Sequence, residues 1–364
     1  PLFEPFRLGN LNLANRIVMA PMTRNQSPEG FPTDLTREYY RRRAAGGVGL
    51  IVTEGTCINH IAASGYADVP FFYGEKNLEA WARVAEAVHQ EGGKIAPQLW
   101  HCGGMRGSGT LPAGDIKGYT PSGMNVPGKK NRHVMTLDEI HEVIAAYAEG
   151  ARHAKSLGFD AVEIHGAHGY LIDQFFWEGT NNREDKYGGS LKKRTRFASE
   201  IITAMRKEVG VDFTIILRWS QWKSQDFGAR LAESPEELAD FLEPLSKAGV
   251  DIFHCSTRRF WEAEFAGSDL NLAGWTKKIT GKPAVAVGSV GLSEEFIPRP
   301  GEVHFRNAEP ASIEDLVERM GRNEFDLAAA GRALIANPDW PHLIRSQRID
   351  SIKAFNKGML DNLD

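Results

Sequence analysis

Phe159-Asp160-Ala161-Val162-Glu163-Ile164-His165-Gly166-Ala167-His168-Gly169-Tyr170 opens on a short apolar run and ends in two histidines, with a tyrosine two residues further on. Such a run, rich in β-branched and small apolar residues, reads as a strand buried on both faces. The polar cluster then falls at the strand's C-terminal end, where parallel α/β folds place their chemistry. The spacing of His165 and His168 predicts a helical turn, on which imidazoles at i and i+3 share one side. From there they converge on one oxygen atom, with the Tyr170 phenol beside them to give or take a proton. Satisfied histidines at a strand-to-helix joint, or a metal pair, fit the same residues.

Similar runs recur outward from this one. Strands are predicted at 17–20, 49–53, 94–98, 161–164, 214–217, 251–254, 284–287 and 327–330. Between them, 3.6-residue periodicity predicts helices over 35–45, 78–91, 137–156, 191–208, 235–248, 272–279 and 312–320. Thr136, and Ser234 followed by Pro235, are start signals; Gly158 and Gly249 are stop signals. Eight strands alternating with helices predict one closed (β/α)₈ barrel over residues 1–364. Two irregular stretches, 102–132 and 293–310, read as loops on the C-terminal face; the second holds Pro298, Pro300, Gly301 and Pro310.

The polar residues at the predicted strand ends form a filled list. They are Pro21-Met22-Thr23, Glu54, Gln98-Leu99-Trp100-His101, the His165/His168/Tyr170 cluster, Arg218, Gly288-Ser289-Val290-Gly291 and Gly331-Arg332. Core packing does not account for so many polar groups at one end of a barrel.

Composition narrows the function classes. With 42% hydrophobic and 25% charged residues the chain is ordinary for a globular protein. A net charge of -4 gives no reason to expect nucleic acid or an anionic membrane as partner. Cys57, Cys102 and Cys255 form no CxxC pair or metal-ligand spacing, which suits a reducing compartment. Residues 1–6 lack the basic and apolar regions of a signal peptide, and no apolar run is long enough to cross a bilayer. A cytoplasmic protein acting on small molecules is expected, its oligomeric state left open.

Together these residues resemble the old yellow enzyme family, FMN-dependent ene-reductases on a (β/α)₈ barrel. The resemblance rests on Asn15-Arg16-Ile17-Val18-Met19-Ala20-Pro21-Met22-Thr23-Arg24, on Gln98-Leu99-Trp100-His101, and above all on Glu163 through Leu171. Asp185-Lys186-Tyr187-Gly188-Gly189-Ser190, Leu217-Arg218 and Ala330-Gly331-Arg332-Ala333-Leu334 extend it, so that it covers residues 2–340. It implies non-covalent FMN, reduced by NADPH or NADH, and ping-pong reduction of α,β-unsaturated carbonyl or nitro compounds. Pro21, Met22 and Thr23 are similar to the segment against the flavin, Thr23 being the hydroxyl that bonds O4. Gln98 and Arg218 are similar to the contacts of the flavin's polar edge, and Gly288, Ser289, Gly331 and Arg332 resemble its phosphate site. His165 and His168 resemble the pair that binds the substrate oxygen, and Tyr170 the proton donor. Tyr66 and Trp100 are expected as cavity walls, with Trp261 and Trp275 as further candidates.

Plainer readings stand beside these. Arg218 suits a rim ion pair, Thr23 a turn hydroxyl, Gly288 a tight turn and Tyr66 a packed surface ring. Departures from the family pattern are Cys102-Gly103-Gly104 and the aromatic run Trp219-Ser220-Gln221-Trp222-Lys223. Residues 256–266 and 294–310 match nothing in the family pattern, so no role is carried over to them. A nitrate-ester or nitroaromatic reductase would use the same histidines. The alternatives of another class are a metal-dependent (β/α)₈ hydrolase using His165, His168 and Glu163, and a flavin-binding protein without turnover.

Overall fold

A computed structural model describes residues 1–107, 110, 112–295 and 306–364. Residues 108, 109 and 111 of the first long loop lie outside the described residues, as do 296–305 of the second, with Pro298, Pro300 and Gly301.

All eight expected strands are present: β1 (Ile17–Met19), β2 (Leu50–Cys57), β3 (Lys94–Trp100), β4 (Ala161–His168), β5 (Thr214–Lys223), β6 (Ile252–Ser256), β7 (Ala284–Val287) and β8 (Leu327–Ala330). They are parallel and close in chain order, β8 pairing with β1. This is the (β/α)₈ barrel.

The helices are α1 (Asp34–Ala45), α2 (Glu75–Gln90), α3 (Leu137–Ser156), α4 (Leu171–Phe176), α5 (Leu191–Arg194), α6 (Arg196–Val209), α7 (Pro235–Ala248), α8 (Leu272–Thr280), α9 (Glu314–Gly321), α10 (Arg332–Ala336) and α11 (Trp340–Arg345). The stretch expected as one helix over 191–208 is two, α5 and α6, meeting at Thr195. Three short helices, α4, α10 and α11, span too few turns for periodicity to mark them. Start and stop signals act as expected. Thr136 Oγ1 accepts from Glu139 N while the Glu139 carboxylate accepts from Thr136 N, and Gly249 ends α7 at φ +122. No helix among the described residues is long and apolar enough to cross a membrane.

Strand alternation creates two separate cores. Val18, Leu50, Val52, Ala96, Ala161, Ile216, Ile252, Val285, Leu327 and Ala329 point into the barrel, where Phe6, Leu11 and Leu13 of an antiparallel hairpin pack against them. The intervening residues, such as Ile51, Ile95, Ile164, Leu217 and Phe253, pack outward against the helices. Period two then dictates what comes next on the inner face. Two residues beyond Ala96, Ala161, Ile216 and Ile252 stand Gln98, Glu163, Arg218 and His254, and Ser256 lies two beyond His254. The barrel interior is thus apolar below and polar at its C-terminal end.

Candidate active site

The polar end opens into a cavity of about 910 Å³. Its walls come from several strand ends: Pro21, Met22 and Thr23 after β1, His168 and Tyr170 at β4, Arg218 of β5, Ser256 of β6, Gly288 and Ser289 after β7, and Gly331 and Arg332 after β8. Tyr66, Trp222 and Phe227 add aromatic walls. Groups expected from five separate strand ends therefore meet around one space, with Ser256 added from a sixth.

The histidines meet for a different reason than their spacing suggests. Both lie within β4, not on a helical turn, and residues three apart on a regular strand face opposite sides. Pairing with β5 shifts register between Gly166 and His168, and His168 takes φ +64. This bulge turns the His168 ring to within 5.1 Å of the His165 ring, edge to face. A left-handed backbone at a bulky residue is unfavourable and needs support from its surroundings. The support is visible. Asp173 Oδ2 accepts from Gly169 N at 2.7 Å, and Lys223 Nζ donates to Asp173 Oδ1 at 2.7 Å, both side chains being fully buried. Gln174 and Gln225 donate to the Gly169 carbonyl, and Ser220 Oγ accepts from His168 N.

Burial, with the Arg218 cation close by, pushes both imidazoles well below their usual range, so both rings are neutral at pH 7. Burial and the neighbouring Tyr66 hold the Tyr170 phenol well above its usual range. The Tyr170 hydroxyl lies 3.0 Å from that of Tyr66, a contact the sequence reading did not anticipate. Trp100 is the hub behind these rings, stacked on His165 at 5.8 Å and Tyr66 at 5.6 Å and edge-on to Tyr170 at 4.9 Å.

The other expected residues are placed as follows. Trp100 supports the site from behind and is not a cavity wall. His165 likewise is not among the lining residues; it packs between Trp100, His168 and Tyr170. Gln98 is buried below the cavity, where its amide donates to Glu163 Oε1 at 2.8 Å. Trp261 is exposed on the surface, and Trp275 packs against Phe265, neither reaching the cavity. Glu163 is also held by His254 Nδ1 at 2.7 Å. Among the described residues no three His, Cys, Asp or Glu side chains group to hold a metal.

Arg218 is a buried guanidinium with few good acceptors. Nη1 and Nη2 lie 3.4 Å from Pro21 O and Ser256 Oγ, and Nε has no partner among the described residues. Burial lowers its pKa, with Glu163 opposing. At the other end of the cavity Gly288 has φ +142, and a Cβ there would sit 2.8 Å from the Thr257 carbonyl, so only glycine fits. Ser289 follows at φ +52. Arg332 donates to the Glu294 carbonyl and lies over the Phe355 ring, burial lowering its pKa to about 10.

Comparison with known proteins agrees with this architecture. The sequence model of the NADH:flavin oxidoreductase / NADH oxidase family matches residues 1–296. The chain is 34% identical over 365 residues to an NADH oxidase of Thermoanaerobacter brockii, covering 97% of this chain but only 52% of the oxidase, so it spans about half of that relative's length. It is 32% identical over 352 residues to 12-oxophytodienoate reductase 2 of Arabidopsis thaliana, covering 94% of this chain and 87% of the reductase. The fold superimposes on morphinone reductase in complex with tetrahydroNAD with a TM-score of 0.81 at 28% identity, over 99% of this chain and 93% of that one. This chain belongs to the NADH:flavin oxidoreductase / NADH oxidase family, the old yellow enzymes, FMN-dependent oxidoreductases built on a (β/α)₈ barrel.

Proposed function

We propose that residues 1–364 form one flavin-binding unit that reduces activated C=C bonds of α,β-unsaturated carbonyl or nitro compounds at the expense of NADPH or NADH. FMN, when bound, supplies the two-electron carrier between the two substrates. The cavity suits that group: it is large enough, mostly apolar, and polar where a flavin is polar. Arg218, its Nε without a partner among the described residues, would face the flavin's pyrimidine edge, and Thr23 offers a hydroxyl to the same cavity. Gln98, its amide held by Glu163, would stand beneath the same edge. Gly288, Ser289, Gly331 and Arg332 would take the phosphate, the glycine allowing close backbone approach and the guanidinium matching a dianion.

The observation that carries the reading is that His168 and Tyr170 both line the cavity and both pack edge-on to His165 between them. A neutral His168 donates a hydrogen bond to the carbonyl or nitro oxygen, and His165 backs it. Drawing electron density to that oxygen makes the β-carbon electrophilic. Tyr170, held protonated by its raised pKa, delivers a proton to the α-carbon. Tyr66, hydrogen-bonded to Tyr170 and reaching the cavity surface, orients that phenol. The tetrahydroNAD complex of morphinone reductase supports a nicotinamide as reductant, and one cavity serving both substrates in turn implies ping-pong kinetics.

Anaerobic half-reactions test this. NADPH or NADH should bleach the flavin band of the FMN-loaded protein, and cyclohexenone should restore it. Failure of either step removes the ene-reductase reading.

A further inference from the structure

The two segments from which the sequence resemblance carried nothing, 219–223 and 256–266, meet at His168. Ser256 ends β6 and points into the barrel by the alternation that turns Ile252 and His254 inward. Its Oγ lies 2.7 Å from His168 Nε2 and 3.4 Å from Arg218 Nη2. A guanidinium only donates, so the Arg218 contact occupies a lone pair of that oxygen. The hydroxyl proton needs an acceptor, and the acceptor within reach among the described residues is His168 Nε2. A hydroxyl that donates to Nε2 leaves that nitrogen bare, and a neutral imidazole then carries its proton on Nδ1. Nδ1 has no partner among the described residues, and His168 lines the cavity.

Trp222 fixes the plane of the same ring. Its indole stacks on the imidazole at 4.5 Å between centroids and 26° between planes. Its Nε1 donates to the Ser256 carbonyl at 3.1 Å, which ties the stacking partner to the tautomer-setting residue. Ser220, two residues earlier, receives the His168 backbone N–H at 3.0 Å.

We propose that Ser256 is a positioning residue that sets the tautomer of His168, so that Nδ1–H is the donor offered to the oxygen of a bound carbonyl or nitro compound. The proposal rests on the reading of His168 as the residue that binds that oxygen. It reaches beyond that reading by naming the atom that donates and the hydroxyl that selects it. Ser256→Ala deletes only the hydroxyl and leaves the backbone carbonyl for Trp222, whereas Ser256→Thr keeps both.

The experiment is ¹⁵N NMR of the FMN-loaded protein labelled at histidine ring nitrogens, with His168→Leu identifying the His168 signals. The expected result is a protonated Nδ1 and a bare Nε2 in the wild type and in Ser256→Thr, and a mixed or reversed pattern in Ser256→Ala. A wild-type ring protonated at Nε2, or an unchanged pattern in Ser256→Ala, overturns the proposal. A phenol titration separates this from the underlying reading. Ser256→Ala should weaken phenol binding about tenfold, the loss of one well-placed hydrogen bond, with Ser256→Thr restoring it. Undiminished phenol binding by His168→Leu would overturn the donor role of His168 whatever tautomer the ring adopts.

Discussion

Lys223→Met probes the device that holds the catalytic turn. The substitution removes the ammonium but keeps a side chain of similar volume, leaving Asp173 fully buried with the Gly169 N–H as its remaining close partner. Breaking one side of a buried ion pair costs about 3–5 kcal/mol. For 364 residues at about 2.1 cal/mol/K each, the unfolding entropy is about 0.76 kcal/mol/K, so the melting temperature should fall by about 4–7 °C at pH 8. The loss should depend on pH with a definite sign. Burial raises the Asp173 carboxyl to about 6, with Lys223 opposing, so its removal lifts the carboxyl further. A carboxyl whose folded pKa stands above its unfolded value loses stability as pH rises through that window. Wild type therefore completes its loss near pH 6, whereas the variant goes on losing about 1.4 kcal/mol per pH unit above that. The deficit should be small at pH 5 and grow between pH 6 and 8 in thermal melts. Asp173→Asn combined with Lys223→Met should recover most of it, because neither partner is left charged. A deficit that does not change with pH, or one under about 1 °C at pH 8, would refute the reasoning.

Three further outcomes follow from the geometry. Tyr170→Phe should slow reoxidation by enones about 10²–10⁴-fold while flavin reduction by NADPH is unchanged, as stopped-flow would read; equal enone turnover removes its role as acid. Because the Tyr170 pKa is raised, the acid form persists to high pH, so wild-type reoxidation should stay flat from about pH 6 to 9.5 and fall only beyond. An essential acid titrating below about pH 9 in that half-reaction contradicts the assignment. Arg332→Ala should weaken FMN retention about tenfold to a hundredfold in dialysis or fluorescence titration, and unchanged affinity would place the phosphate elsewhere.

The barrel was readable because each strand is a short apolar run bounded by helix signals, and all eight were located. Strand ends were harder. β4 continues from Ile164 to His168 and β5 from Leu217 to Lys223, because their upper residues are polar groups that pattern reading assigns to loops. That error hid the bulge at His168, so spacing brought the histidines together on a helical turn that does not exist. Gln98 points inward with its amide on Glu163, which His254 also holds, and no local pattern shows that contact. Period two along β3, β4 and β6 holds that information once the strands are aligned in register. The contacts of Ser256, Trp222 and the Asp173–Lys223 pair were missed because they act across the chain, between segments 34 to 88 residues apart, and no local spacing shows them. The Tyr66–Tyr170 contact likewise joins residues 104 apart.

The central claim is that one cavity holds a flavin beneath a substrate oxygen bound at His168. The visible absorption spectrum of the purified protein, supplied with FMN and titrated with a simple phenol, tests both halves together. A flavin band that gains a broad long-wavelength absorption, lost in His168→Leu, is the predicted result. A protein that acquires no flavin spectrum from FMN, or a flavin spectrum indifferent to phenol, would contradict the account.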